Sequence, residues 1–233
     1  MTHKLLLWFE GPMQSWGSSS RFGRRESEAF PTKSGVLGMI AAALGKTGEQ
    51  VEWLKSVSSY PMNVTIFSRT GQKPEVIRDF HTVGNGYNVD DSWENLMIPK
   101  TTDGKSPNGS GSKLTYRFYL QDACYAVVFQ LPLTQAEIIA SALQNPTWGC
   151  SLGRKSCVPT EWIFQGIYES EELIQKYIEE LALSKNKQPF AEIREGEFAE
   201  LGDVFALDDI PLNFGPYKRY RSRAVTIIDR QEV

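Results

Sequence analysis

The chain has 233 residues, of which 41% are hydrophobic and 23% are charged, proportions typical of a folded protein with a substantial core. No apolar run approaches the roughly 20 residues of a membrane helix, and no signal peptide is recognisable, so we expect a cytoplasmic protein without a membrane partner. Because the three cysteines contain no C-x-x-C pair, we expect no disulfide framework, metal or cofactor.

The net charge of −3 argues at first against a nucleic-acid partner, but the charge is unevenly distributed. Residues 169–209 contain 12 acidic and 4 basic side chains, so the rest of the chain has a basic excess. Affinity for a phosphate chain depends on a local basic track rather than on the net charge. Each cation taken alone can equally be a solvated surface charge. The last sixteen residues nevertheless supply a basic cluster, which consists of Lys218, Arg219, Arg221, Arg223 and Arg230.

The first forty-five residues predict a buried strand, a polar loop and a helix. Residues 4–9 are almost uniformly apolar, as in a strand that is covered on both faces. The helix begins near Ser34, with Thr32 or Ser34 as its N-cap, and is rich in small residues. Between them the loop carries amide, hydroxyl, indole and guanidinium groups: Gln14, Ser15, Trp16, Arg21, Arg24 and Arg25.

The rest of the chain alternates between strands and helices. A capping box of Thr134 and Glu137 predicts one helix, and Ser170 caps another. Residues 84–113 are instead rich in turn-forming residues, and a stretch of that length inside a compact domain is often functional. The other predicted elements are a short helix at 51–57, hairpins at 63–80 and 115–131, a glycine loop at 149–156, and strands at 162–168 and 223–228.

This order predicts an α+β protein with a ferredoxin-like body of the RNA-recognition type. We expect residues 1–168 to form that body, with 84–113 as an extended thumb-like insertion. Residues 169–233 would then be a small C-terminal extension of helix and strand packed on the body.

Two segments are suited to phosphate binding. The amides at the start of the predicted helix form a positive dipole end, where Lys33 would add a mobile charge beside Ser34. The alternative is that the glycines at 35 and 38 permit close packing of helix on sheet. The second segment is the glycine loop, with amides and cations at Gly153, Arg154, Lys155 and Ser156. We expect a side chain at Gly153 to damage RNA binding more than stability.

Aromatic residues interleave with arginines in the first loop, a combination that single-stranded RNA requires for stacking and phosphate pairing. Trp16, Phe22 and Phe30 alternate with the arginines there, although each ring taken alone is more often part of a core. His81 follows Asp79 and Phe80, and it can contact RNA or act as a general base for RNA cleavage. A structural histidine is the simpler alternative, and we assign no catalytic residue.

The sequence G-P-M-Q-S-W-G followed by F-P-T-K-S-G-V-L-G closely resembles the CasD subunit family of type I-E CRISPR Cascade, in the RAMP superfamily of RNA-binding proteins. The resemblance is strong over 4–45 and is supported at 78–83 and 152–157. It implies a non-catalytic subunit that holds the 5′ handle of the CRISPR RNA (crRNA) and caps the backbone filament in antiviral defence. The implied partners are crRNA, the backbone filament subunit, the large subunit and, indirectly, target DNA.

The resemblance also implies that the insertion packs on the neighbouring backbone subunit. We expect it to be mobile in the isolated chain, and its large apolar side chains would anchor the contact: Trp93, Leu96, Met97 and Ile98. Two other functions stay open at this point. One is a metal-independent endoribonuclease that processes pre-crRNA, and the other is a protein-only assembly scaffold.

Overall fold

The computed structural model describes residues 2–17, 23–69, 73–83, 103 and 113–230. Within these ranges the chain forms two β-sheets and four helices, so the α+β prediction is confirmed. None of these helices combines the length and the apolar character that a membrane span requires. The elements are β1 Thr2–Glu10, β2 Met13–Gln14, β3 Arg24–Arg25, α1 Lys33–Ala43, α2 Val51–Val57, β4 Met62–Ser68, β5 Val76–Val83, β6 Lys113–Gln121, β7 Cys124–Pro132, α3 Leu133–Gln144, β8 Phe164–Tyr168, α4 Glu171–Ser184, β9 Gln188–Glu195, β10 Asp203–Asn213 and β11 Arg219–Asp229.

The large sheet has seven antiparallel strands in the order β10-β11-β9-β4-β7-β1-β8. Its last four strands, with α1 after β1 and α3 after β7, have the chain order and strand order of a ferredoxin-like body. This confirms the predicted body.

Strand β1 runs through the middle of two hydrophobic cores, which explains its uniformly apolar sequence. Leu5, Leu7 and Phe9 pack beneath α1 and α3 on one face of the sheet. Leu6 and Trp8 face the opposite side, where α4 covers them. A strand buried on both faces has no position for a polar residue, so the pattern predicted from sequence is confirmed.

The second sheet is built around β6 and corrects two predicted hairpins. Strand β6 pairs with β5 along one side and with β2 and β3 along the other. Strand β4 pairs instead with β7 and β9, so β4–β5 and β6–β7 are not hairpins. The turn at Asp122, where φ is +47°, carries the chain from one sheet into the other. The apolar strands β4 and β7 require burial on both faces, whereas β6 exposes one face to solvent and β5 is largely exposed on both.

The helix starts differ in detail from the predicted caps. Thr32, rather than Ser34, caps α1, because its Oγ1 accepts a hydrogen bond from the Gly35 amide. Ser170 caps α4 as predicted, through the Leu173 amide. The capping box of α3 is wrong: the helix already begins at Leu133, after Pro132, without a side-chain cap.

The C-terminal third contributes α4 and three further strands. Strand β9 pairs with β4, so β9, β11 and β10 extend the large sheet rather than forming a separate one. The division at residues 168 and 169 stays a prediction. The insertion at 84–113 lies outside the described residues except for Asp103 and Lys113, and so do its expected anchors: Trp93, Leu96, Met97 and Ile98.

Candidate nucleic-acid groove

An open groove of about 780 Å³ lies between α1, the glycine loop and the loop that joins β10 to β11. We call it the basic groove. Residues from the two segments predicted to bind phosphate, such as Ser34 and Gly153, line the same cavity. Among the described residues its lining contains one carboxylate, that of Glu26, and five cations: Arg25, Lys46, Arg154, Lys155 and Lys218.

The start of α1 is already occupied by the protein's own groups. The Lys33 amide donates to Asp209 Oδ2 at 2.6 Å, and the Gly35 amide donates to Thr32 Oγ1 at 3.3 Å. A carboxylate at this end of a helix takes the place that a phosphate would occupy. Ser34 is half-buried and lines the groove. The amides of Lys33 and Gly35 are therefore not free for a phosphate, which corrects the expectation for the start of this helix.

Lys33 is not the mobile charge that the sequence suggested. Its side chain is fully buried, and its Nζ lies 2.9 Å from Glu195 Oε1. Burial lowers the pKa of the ammonium, and the charge of Glu195 opposes that effect. Arg223 binds Glu195 at 2.8 Å and Asp209 at 2.6 Å, which completes a buried network of two cations and two carboxylates. This buried network joins α1 to β9, β10 and β11, so Lys33 and Arg223 are not exposed to RNA.

Gln14, Ser15 and Trp16 are likewise internal. Gln14 Nε2 donates to the carbonyls of Phe9 and Ala123, and Gln14 Oε1 accepts from Trp16 Nε1 at 3.1 Å. The Trp16 ring is stacked on Phe9 at 5.4 Å and is 0% exposed. It is therefore not available to stack a base, which corrects the expectation for this aromatic.

Phe30 is buried, which corrects the expectation for its ring. Arg21 and Phe22 lie outside the described residues, so their role in RNA binding stays a prediction. Ser15 lines the groove, but its Oγ donates to the Phe118 carbonyl at 3.0 Å. This hydrogen bond holds the first loop against β6 and so shapes the wall of the groove.

The glycines of the groove have three different roles. Gly153 has φ +91°, and a Cβ there would lie 1.8 Å from the carbonyl oxygen of Ser15, so we expect a side chain there to reduce stability first, contrary to the prediction from sequence. A Cβ at Gly35 would lie 2.8 Å from the Trp16 ring, so this glycine permits close packing, the alternative that we raised. At Gly38 no atom lies within 4 Å of the Cβ position, so its backbone borders open space in the groove.

Three guanidinium groups gather beside the glycine loop. Arg154 donates to the carbonyls of Arg25 at 2.7 Å and Phe118 at 3.3 Å, and its guanidinium lies 4.8 Å from the Tyr119 ring centre. Burial and the charges of Arg117 and Arg154 lower the pKa of Arg25. The Nε of Arg117 is buried without a hydrogen-bond partner among the described residues. This concentration of positive charge is suited to attract an anion.

Lys155 and Ser156 are exposed on the glycine loop, and Lys155 lines the groove. Sequence reasoning missed several other lining residues. Trp148 stands just before the predicted glycine loop, and Lys218 belongs to the basic cluster near the C-terminus, so both had a partial signal. Lys46, which follows the glycine after α1, had none. The missed groove residues are Lys46, Trp148, Lys218 and Tyr220.

His81 and Arg24 lie away from the groove. His81 is on β5, exposed, with its Nδ1 3.9 Å from Asp79 Oδ2. Arg24 is on β3, where its Nε contacts Glu26 Oε1 at 2.6 Å. Neither lines the cavity. Within the described part of the chain, no three His, Cys, Asp or Glu side chains come together as a metal site.

Comparisons with known proteins agree with the fold of the body. The chain is 28% identical over 180 residues to the CRISPR system Cascade subunit CasD of Escherichia coli strain K12, which covers 74% of each protein. It matches a chain of a solved CRISPR RNA-guided surveillance complex with a TM-score of 0.71 and 25% identity, over 97% of this chain and 89% of that one.

A solved Cas protein shares the fold, with a TM-score of 0.58 and 22% identity over 99% of this chain and 97% of its own. The family model described as CRISPR-associated protein (Cas_Cas5) matches residues 4–224, nearly the whole chain. The residues that the family model matches therefore include both the ferredoxin-like body and the glycine loop beside the basic groove. The chain belongs to the CRISPR-associated Cas5 family.

Proposed function

We propose that this protein is a non-catalytic RNA-binding subunit of a type I-E CRISPR surveillance complex, which holds the 5′ handle of crRNA in the basic groove. The observation that carries the proposal is the groove itself, whose described lining has five cations and one carboxylate in a chain of the Cas5 family. Its relative CasD is a Cascade subunit, and a structural relative belongs to an RNA-guided surveillance complex. The partners are therefore crRNA and other Cascade subunits.

The cations of the groove divide into a fixed and a mobile set. Arg154 is held by two backbone carbonyls, so its guanidinium is ordered before RNA arrives. Lys155 and Lys218 are exposed and can follow a phosphate chain. Each phosphate that they neutralise releases counterions, which makes binding dependent on salt. Gly38 also lines the groove, and no atom lies within 4 Å of its Cβ position.

The assembly role follows from the same proposal. A subunit that holds the end of crRNA caps the backbone filament and meets the backbone and large subunits, and it contacts target DNA only indirectly. Residues 84–113, with Trp93, Leu96, Met97 and Ile98, remain the proposed thumb that packs on a backbone subunit.

The test is binding of a short RNA that carries the handle sequence, measured by fluorescence anisotropy at several salt concentrations. The double variant Lys155→Glu with Lys218→Glu should weaken binding at least tenfold. Its salt slope should fall by roughly 0.7 for each lost phosphate contact on a single strand. The matched control is Lys55→Glu with Lys176→Glu, which makes the same charge change on exposed helical lysines away from the groove. Equal affinities for the two double variants would overturn the groove assignment.

The same preparations separate the three functions. Repeat RNA should remain intact with the wild-type chain and with His81→Ala, while both bind it. Cleavage that His81→Ala abolishes would establish the endoribonuclease instead. If the folded chain neither binds nor cuts the RNA, the function that remains is that of a protein-only assembly scaffold.

A further inference from the structure

The outer face of the second sheet carries a group of aromatic and guanidinium side chains that the basic groove does not use. On β5, Arg78 and Phe80 are two residues apart and share one face, and on β6 Tyr116 and Phe118 do the same. Arg24 on β3 is in register with Tyr116. We call these five side chains the aromatic platform.

The platform is exposed, whereas the opposite face of β6 packs on the body. Phe80 is 54% exposed and Tyr116 is 38% exposed. Thr115 and Tyr119, which alternate with them on β6, are buried against the body. Together with the arginines of the platform, the rings of Phe80 and Tyr116 form a contiguous exposed patch beside a strand whose other face already packs on the body, and such a patch calls for a function other than folding.

The geometry within the platform joins rings and positive charges. The rings of Phe80 and Tyr116 are 4.9 Å apart and inclined at 58°. The guanidinium of Arg78 lies 5.4 Å from the first ring centre and 5.7 Å from the second. The guanidinium of Arg24 lies 4.8 Å from the Phe118 ring centre. Exposed rings offer stacking surface to bases, and arginines beside them offer charge to phosphates.

The position of β3 connects the platform to the basic groove. Strand β6 has β5 along one side and β3 on the other. Arg24 and Arg25 are consecutive in β3, so their side chains point to opposite faces of the sheet. Arg25 lines the basic groove, and Arg24 lies over the platform. A strand of RNA that leaves the groove beside Arg25 therefore reaches the platform by passing around β3.

We propose that the aromatic platform stacks unpaired bases of a single-stranded RNA that continues out of the basic groove around β3. The inference rests on the proposed function, because the groove supplies the anchored part of the strand. The arginines of the platform complement the charge of phosphates, and the platform adjoins the basic groove across β3. Both observations favour RNA over a protein partner, because a protein-docking surface would not need to adjoin a phosphate-binding groove.

The experiment compares two single-stranded RNAs with the same 5′ handle, one of about 6 nucleotides and one of about 16, a range that covers known single-strand site sizes. The variant Phe80→Leu with Tyr116→Leu keeps apolar bulk at both positions but removes the rings. It should bind the long RNA about tenfold more weakly per lost ring and the short RNA normally. Phe80→Trp should bind the long RNA as the wild type does, because indole restores the stacking surface.

Trp162→Leu is the matched control, because it removes an 81% exposed ring elsewhere on the surface and should bind both RNAs normally. A 2-aminopurine base in the distal part of the long RNA should be quenched by the wild type and not by the double leucine variant. Wild-type affinity of that variant for the long RNA would overturn the platform while leaving the groove intact. Normal RNA binding with loss of assembly into the surveillance complex would show instead that the platform is a protein contact. A wild-type chain that binds neither RNA would refute the proposed function and this inference together.

Discussion

Replacing Gly153 with alanine tests whether the glycine loop is shaped by contact with RNA or with the protein itself. The Ser15 amide donates to the Leu152 carbonyl at 3.1 Å, which brings the loop against the first loop of the chain. An added Cβ would lie 1.8 Å from the Ser15 carbonyl oxygen and 2.7 Å from its carbon. Both are backbone atoms that no rotamer change can move, so the two loops must separate.

The expected cost combines two effects. A non-glycine residue at φ +91° is strained by about 1–3 kcal/mol. Overpacking of a closely fitted site costs a further 1–3 kcal/mol, so we expect a loss of about 3 kcal/mol. For a chain of this size each kcal/mol lowers Tm by roughly 2–4 °C, which predicts a decrease of about 10 °C.

The measurement is thermal and urea unfolding of Gly153→Ala beside Gly38→Ala. At Gly38 the added Cβ meets no atom within 4 Å, and alanine is favoured over glycine within a helix by about 1 kcal/mol. The control should therefore unfold at or above the wild-type temperature. If Gly153→Ala were as stable as the wild type and bound RNA poorly, the steric reasoning would be refuted and the loop would be shaped for a phosphate.

Two further predictions concern buried charges. Lys33→Met should lower the free energy of unfolding by about 3 kcal/mol or more, because Glu195 loses a buried partner. The double variant Lys33→Met with Glu195→Gln should recover part of that loss in urea unfolding, because it also removes the unbalanced carboxylate. A double variant no more stable than Lys33→Met would contradict the charge argument. Hydrogen bonds from Arg194 and Arg230 hold the pKa of Glu192 below its ordinary value of 4.5, although burial alone would raise it. The ionised Glu192 therefore contributes its full stabilisation above pH 4.5 and loses it as the pH falls through its lowered pKa. The difference in unfolding free energy between wild type and Glu192→Gln should accordingly shrink in acid. A difference that stays constant with pH would refute this.

Some features could be predicted because they depend on local pattern alone. The apolar run of β1 indicates burial on both faces wherever the strand is placed. Ser170 caps α4 through the amide three residues later, a contact contained within one turn. The order of strands and helices favoured a ferredoxin-like body, and the family resemblance strengthened that prediction.

Other features depend on which segment meets which. The hairpins failed because a strand pairs with the neighbour that best covers its faces, and β4 finds β7 and β9 rather than the next strand in the chain. Lys33 could not be recognised as buried, because Glu195 lies far along the chain. The burial of Trp16 could likewise not be recognised from the sequence, because it depends on the folded positions of Phe9, which stacks on its ring, and Gln14, which accepts a hydrogen bond from its indole.

The sequence by itself determined the class of fold, the family resemblance and two of the segments that line the groove, namely the start of α1 and the glycine loop. The tertiary structure alone decided which side chains of those segments face the groove, because burial and pairing depend on residues distant in the chain. Lys218 joins Lys155 in the groove only through the loop between β10 and β11. The aromatic platform likewise depends on the tertiary structure, because β3, β5 and β6 become neighbours only when the second sheet forms.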